Sequence, residues 1–439
     1  MKKTTRREIL AASLGLAVAS SPSFALGYTA LLRAGSAKVE MTPDVKALRV
    51  PLGGYAARKD APAMGVHDPI FARAVVFSTG KQTIRIVSVD LCFVPVSLRD
   101  AVRVHLKNPN APLFLSATHT HSAPDPLAMH AGNTVAFSGF SKFDSALRDF
   151  IAKRIADAVN QAESQLEPAM IEIATAKVNG LNRNRRSEKI LDTEMGTVRV
   201  KRTDGETIAV LVNFAAHPTI YGDKMRDISA DWCGAMTAKL DATSGKNCVS
   251  LFLNGAEGDA SPVADTGKTD EERVALYAER MVNAVQQQSK ATKMQTNPML
   301  AYHEHVFDLP PRKPNGLFYA AAGSLGISIP QAKQFVNALM PEKTCLTFAQ
   351  IGDILLIGFP CEPTSELGLK AKALARKSGY KFPLVVALTN DWLGYALMPE
   401  QYKNGGYETG MSFYGEKFGD VLLAEVEKGL AAIRPAARE

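Results

Sequence analysis

Short runs rich in valine and isoleucine alternate with runs whose apolar residues recur at helical spacing, and this alternation restricts the fold more than any other feature. Residues 73–78, 83–92, 169–178, 207–214 and 382–388 read as strands. Residues 143–163 read as a helix, with Leu147, Ile151, Ile155 and Val159 every four positions. Thr269-Asp270-Glu271-Glu272 has the form of a capping box and opens a helix burying Ala275, Ala278, Met281, Val282 and Val285. Residues 346–350 and 354–359 predict a hairpin turning at Gly352-Asp353, and Pro363 suits the first turn of a helix ending near Gly379. With 46% hydrophobic and 22% charged residues the chain can bury a large core. No internal repeat, low-complexity tract or linker interrupts it. The expectation is a single large α/β domain, a mixed β-sheet flanked by helices, with the active site at strand ends.

The N-terminus reads as an address. Thr5-Arg6-Arg7-Glu8-Ile9-Leu10 matches the twin-arginine export pattern, an apolar run continues to Val18, and Ser23-Phe24-Ala25 is a small-x-small cleavage pattern. Residues 1–25 are therefore expected to be a removed signal peptide and 26–439 a mature periplasmic or secreted protein. The apolar run is too short to span a bilayer, and nothing later reads as a transmembrane span. The signal also accounts for +3 of the net charge of +7, which leaves too dilute a charge for a nucleic-acid groove. Cys92, Cys233, Cys248, Cys345 and Cys361 are too few and too scattered for a disulfide framework and are expected to be buried thiols.

Polar residues repeatedly end the apolar strands. His119 and His121, in Thr118-His119-Thr120-His121-Ser122-Ala123-Pro124, would face one spot in extended chain, as a metal corner or as a hydrogen-bonded structural pair. His303-Glu304-His305 has the same spacing inside an unbroken strand pattern and reads as an exposed strand face. His217 ends the strand before Pro218, a position where α/β enzymes hold ligands. Asn254-Gly255-Ala256-Glu257-Gly258-Asp259-Ala260-Ser261-Pro262 is a ligand-approaching loop or a surface turn. Glu362 and Tyr395 follow two further strands. Gly-x-Ser-x-Gly, Walker, Gly-x-Gly-x-x-Gly and His-Glu-x-x-His motifs are all missing.

Taken in order, Thr118-His119-Thr120-His121-Ser122-x-Pro124, Arg183-Asn184-Arg185, His217-Pro218-Thr219, Gly258-Asp259-x-Ser261-Pro262, Glu362-Pro363-Thr364, Leu388-Thr389-Asn390 and Tyr407-Glu408 resemble blocks of the neutral/alkaline non-lysosomal ceramidases, zinc amidases that cleave the N-acyl bond of ceramide. The resemblance implies one Zn2+ per chain held by His119, His217, Glu362 and Tyr395. It implies His121 as general base, and Arg185 and Tyr407 as the groups that stabilise the carbonyl oxygen or tetrahedral intermediate. Ser261 matches a serine that anchors substrate or acts as nucleophile.

The chain departs from the pattern at Ala123 and Asp125-Pro126, where glycines are expected after His121-Ser122, and at Val263. It also ends about 25 residues after Tyr414-Gly415, before the family's immunoglobulin-like C-terminal domain, so only the catalytic domain is expected. The function expected is zinc-dependent hydrolysis of a small-molecule or lipid N-acyl amide, with a metal-activated water attacking the carbonyl. The alternatives are zinc hydrolysis of another cell-envelope ester, glycosidic or peptide-like bond, and a non-catalytic periplasmic binding protein on the same scaffold.

Overall fold

The computed structural model describes residues 31–134, 141–288 and 293–433. The expected export signal over residues 1–25 lies outside the described residues.

A nine-stranded mixed sheet runs in the order Val249–Asn254, Thr207–Phe214, Glu194–Arg202, Glu167–Lys177, Arg33–Glu40, Phe71–Ser78, Thr83–Val89 and Leu113–Ala117, with Lys293–Gln295 pairing with Glu167–Lys177. A second sheet of four strands orders Leu300–Asp308, Lys343–Ile351, Ile354–Gly358 and Phe382–Val386. Most neighbours are antiparallel. The three parallel pairs within these two sheets are the exceptions that build the site.

Each parallel pair is bridged by a helix, as parallel strands require a crossover. Val96–His105 joins Thr83–Val89 to Leu113–Ala117, Asp231–Ser244 joins Thr207–Phe214 to Val249–Asn254, and Ser365–Lys377 joins Ile354–Gly358 to Phe382–Val386. The carboxyl ends of the three pairs are stitched together by backbone. Ala117 N donates to Leu388 O at 3.3 Å, Asn390 N to Leu115 O at 2.8 Å, and Ala387 N to Asn254 O at 3.0 Å. The Asn254 side-chain amide also donates to Thr118 O at 3.1 Å. Residues far apart in sequence thus leave their strands toward one place, outside the carboxyl ends, where open α/β sheets hold ligands.

The expected elements appear with shifted ends. The helix Ser145–Ser164 starts where the Asp144 carboxylate accepts from Ala146 N and Leu147 N, and it buries Leu147, Ile151, Ile155 and Val159 against the sheet. Burying each of these side chains stabilises the fold by about 1.5–3 kcal/mol, and truncating Ile155 to alanine would cost about 2–5 kcal/mol. Pro363 does not open its helix. It sits with Glu362 in a two-residue strand paired to Tyr395-Ala396, and the helix begins at Ser365. Gly379, with φ of +93°, does follow that helix as expected. His303 and His305 are half-buried, not exposed, because the helix Phe418–Ile433 covers their face and Glu425 pairs with His305.

Candidate metal and catalytic site

Both strands of every parallel pair deliver a polar residue to the same point. Cys92 and His119 come from the first pair, His217 and Glu257 from the second, Glu362 and Tyr395 from the third. Nε2 of His119 lies 3.3 Å, and Nε2 of His217 3.5 Å, from Glu362 Oε2. Nδ1 of His119 is 2.6 Å from the Cys92 carbonyl, and Nδ1 of His217 is 3.2 Å from the Ala260 carbonyl. A carbonyl only accepts, so this assigns the ring protons to Nδ1 and turns both Nε2 lone pairs inward. Trp392 Nε1 donates to Glu362 Oε1 at 3.0 Å, while Glu362 Oε2 is buried without a hydrogen-bond partner. The Tyr395 hydroxyl, set beside Glu362 by strand register, is 3.3 Å from His217 Nε2.

The electrostatics fit a cation at the centre. Burial alone would raise the Glu362 carboxyl, but His119 and His217 beside it hold it well below the usual carboxylate range. Burial would lower His119, yet Glu362 carries it well above its ordinary value. His217 falls to about 3, through burial and then the nearby Arg185. A fully buried carboxylate with one oxygen unbonded and two ring nitrogens converging on it is a donor set in want of a divalent ion. Cys92 Sγ is 3.6 Å from His119 Nδ1 and makes a second candidate group with His119 and His121. That group is the poorer one, because burial pushes the Cys92 thiol up and His119 Nδ1 is already taken by the Cys92 carbonyl.

The strand-end geometry differs from the one the sequence implies. His119 is not in extended chain; its φ is +77°, a conformation costing about 1–3 kcal/mol and retained mostly at functional sites. The kink sets the two imidazoles at right angles, with His121 Nε2 3.2 Å from His119 Nε2. Burial, reinforced by His119 and His217, keeps His121 well below its ordinary value. Arg185 donates from Nε to Glu408 Oε1 at 2.7 Å and from Nη2 to Gly258 O at 2.8 Å and the Tyr395 hydroxyl at 3.1 Å. Its guanidinium lies over the rings of both Tyr395 and Tyr407, 5.6 and 5.8 Å from their centroids. Ser261 is apart from this cluster. It pairs with Arg183 in a short antiparallel ladder and lines a separate hollow with Thr219, Asp265 and Arg273.

A cavity of about 230 Å³ opens over the cluster. His119, His121, Glu362, Tyr395 and Tyr407 line it together with the apolar Phe93, Leu127, Phe318, Leu325, Ile327 and Phe335. Gly258 is required where its loop meets Glu362, since a Cβ there would lie 2.6 Å from the Glu362 carbonyl. Sequence reasoning gave no role to Cys92, Trp392 or Glu257. Glu257 is fully buried with both carboxylate oxygens unpartnered, and burial pushes it well above the usual carboxylate range. For Glu257, the available signal was its place in the loop directly after the strand Val249–Asn254.

Comparison with known proteins gives the family and the fold. Residues 33–299 match the family described as neutral/alkaline non-lysosomal ceramidase, N-terminal. Neutral ceramidase of Pseudomonas aeruginosa is 26% identical over 52% of this chain and 37% of its own length, and neutral ceramidase B of Dictyostelium discoideum 30% identical over 48% and 33%. The chain thus spans about a third of the length of each of these two relatives. Neutral ceramidase of Mycobacterium tuberculosis is 21% identical over 82% of this chain and 71% of its own length. The crystal structure of the Pseudomonas aeruginosa protein superposes with a TM-score of 0.79 over 93% of this chain and 76% of that one, at 18% identity, a likeness of fold. On the family match, which covers more than half of its residues, the chain belongs to the neutral/alkaline non-lysosomal ceramidases.

Proposed function

We propose that this chain is an exported, zinc-dependent hydrolase of N-acyl amide bonds with ceramide-like substrates, residues 26–439 forming the mature enzyme. The observation that carries the reading is the convergence of His119 Nε2, His217 Nε2 and the unbonded Glu362 Oε2 beside His121, against a largely apolar cavity. His119, His217, Glu362 and Tyr395 would hold the ion, a nitrogen–oxygen set that suits zinc. When bound, zinc supplies Lewis-acid polarisation of the amide carbonyl and makes water acidic enough to ionise near neutral pH. His121, held neutral by burial and its histidine neighbours, accepts the proton released as water attacks and returns it to the departing amine. Arg185 and Tyr407 stand where charge develops on the carbonyl oxygen; the Nη1 of Arg185 takes no part in its protein hydrogen bonds. Ser261 has no part in this reading, because it lines a different hollow.

The apolar residues lining the cavity accept an acyl chain, each buried CH₂ contributing about 0.8 kcal/mol. Among the described residues no helix is long and apolar enough to cross a membrane. We therefore expect faster hydrolysis of short-chain N-acyl sphingosine in detergent than of long-chain ceramide in liposomes. The deciding experiment couples that rate comparison to elemental analysis of protein prepared without chelator. Zinc below about a tenth of an equivalent would sink the metal assignment, and equal or faster turnover in liposomes would restore a full membrane-ceramidase reading.

A further inference from the structure

The ring of His121 is held by almost no hydrogen bond of its own. Nδ1 is buried without a partner, and Nε2 meets only His119 Nε2. What fixes the ring is a neighbouring segment. Residues 51–53 run antiparallel to 123–125: Gly53 N donates to Ala123 O at 3.0 Å and Asp125 N to Pro51 O at 2.8 Å. The chain then turns at Gly54, whose φ is +92° and whose Cα faces the His121 side chain. A Cβ at Gly54 would stand 2.7 Å from His121 Nδ1, and its three nearest atoms would all belong to His121. Tyr55 meets the same imidazole edge-on, with ring centroids 4.8 Å apart, and is tied by its hydroxyl to Tyr221 O at 3.0 Å.

Arg58 closes the arrangement. Its Nη1 donates to the carbonyls of His121 and Gly53, and its Nη2 to Ser122 Oγ at 3.3 Å and Gly222 O at 3.0 Å. Its Nε donates to Asp223 O at 3.1 Å, and the guanidinium stacks over Tyr55 at 4.8 Å. Other deeply buried arginines here have a carboxylate: Arg73 pairs with Asp90 and Arg85 with Glu163. Arg58, at 5% exposure, makes no ion pair among the described residues. A buried charge without a counter-charge is costly, and this one ties the loop that carries His121 to Gly53 and to the segment Gly222-Asp223.

We propose that Gly54, Tyr55 and Arg58 are positioning residues that brace His121 for proton transfer, an inference that rests on the reading of His121 as the base. A displacement of about 1 Å costs turnover roughly 10²-fold. Gly54→Ala and Arg58→Ala should therefore each lower kcat about 10²-fold while KM stays within about threefold and zinc content is unchanged. Arg58→Lys should recover part of the loss. In the His121→Ala background both substitutions should cost less than about twofold more, since their effect passes through the missing ring. Wild-type kcat in Gly54→Ala and Arg58→Ala, beside an impaired His121→Ala, overturns the brace alone. So does an undiminished further loss in the His121→Ala background. Full turnover by His121→Ala overturns the base assignment and the brace with it. If Arg58→Ala does not fold, Gly54→Ala decides, because it is exposed and its added methyl is directed at His121.

Discussion

His119-Thr120-His121 and His303-Glu304-His305 have identical spacing in sequence and opposite fates in the fold. The second pair lies within the strand Leu300–Asp308, so its side chains stand side by side, ring centroids 5.9 Å apart, against the helix Phe418–Ile433. His305 Nε2 is satisfied by Glu425 at 2.7 Å, and the His303 ring stacks on Phe348. The first pair lies just beyond a strand, where φ of +77° at His119 breaks the extended run and turns the rings perpendicular at 4.6 Å. A regular strand presents alternate side chains in parallel, which suits a packed face and not a point. In the first pair the backbone has left the sheet, and His119, His217 and Glu362 converge there from the ends of the three parallel pairs.

The comparison breaks most visibly if ligands are removed. His119→Ala or His217→Ala should drop zinc from about one equivalent to under about a tenth, with turnover at background, while His303→Ala keeps both. Metal loss from His303→Ala, or retention in His119→Ala, would erase the distinction. Next in size is the contrast inside the first pair. His121→Ala should keep its zinc and lose about 10²–10⁴-fold in turnover; loss of metal equal to that in His119→Ala would show that the roles within the pair are wrongly divided. Smaller again is Trp392→Phe, which keeps an aromatic side chain but removes the donor to Glu362 Oε1. Zinc affinity should fall about 10–100-fold, read by competition with a chelator. An unchanged affinity would mean that Glu362 is oriented by other contacts.

Much of the architecture was legible because it rests on local pattern. Thr207–Phe214 matches its expected bounds, and the buried stripe of Ser145–Ser164 follows the four-residue spacing of its apolar positions. The polar residues ending strands were visible too. What they did together was not, because the stitching of strand ends joins Ala117 to Leu388 and Ala387 to Asn254, contacts no local period encodes. His119 and His121 were placed at one spot by an extended-chain argument, but the positive φ that brings them together leaves no mark in residue type. Pro363 was misread for a related reason: helix-start chemistry suits it, yet pairing with Ala396 holds it in a strand beside the site. Cys92 and Trp392 looked like ordinary apolar residues until the fold set them against His119 and Glu362.

The smallest expected effect tests the other side of the comparison. Burial would raise the Glu425 carboxyl, but Lys428 and His305 together bring it below its ordinary value. A carboxyl whose folded pKa is depressed stabilises the fold above its unfolded pKa, and that contribution fades as pH falls through the folded value. Glu425→Gln retains an acceptor for His305 and loses only the charge, so it should cost no more than about 1 kcal/mol near neutral pH. The difference from wild type should shrink as pH falls below the ordinary glutamate value of about 4.3, and vanish only once the depressed folded carboxyl is itself protonated. Denaturant unfolding at pH 7 and pH 3.5 reads both values, and zinc content and turnover should match wild type throughout. A difference that grows on acidification would contradict the sign of the linkage. A fall in zinc would mean that the strand Leu300–Asp308 communicates with the metal cluster, and the two histidine pairs would no longer be separate in function.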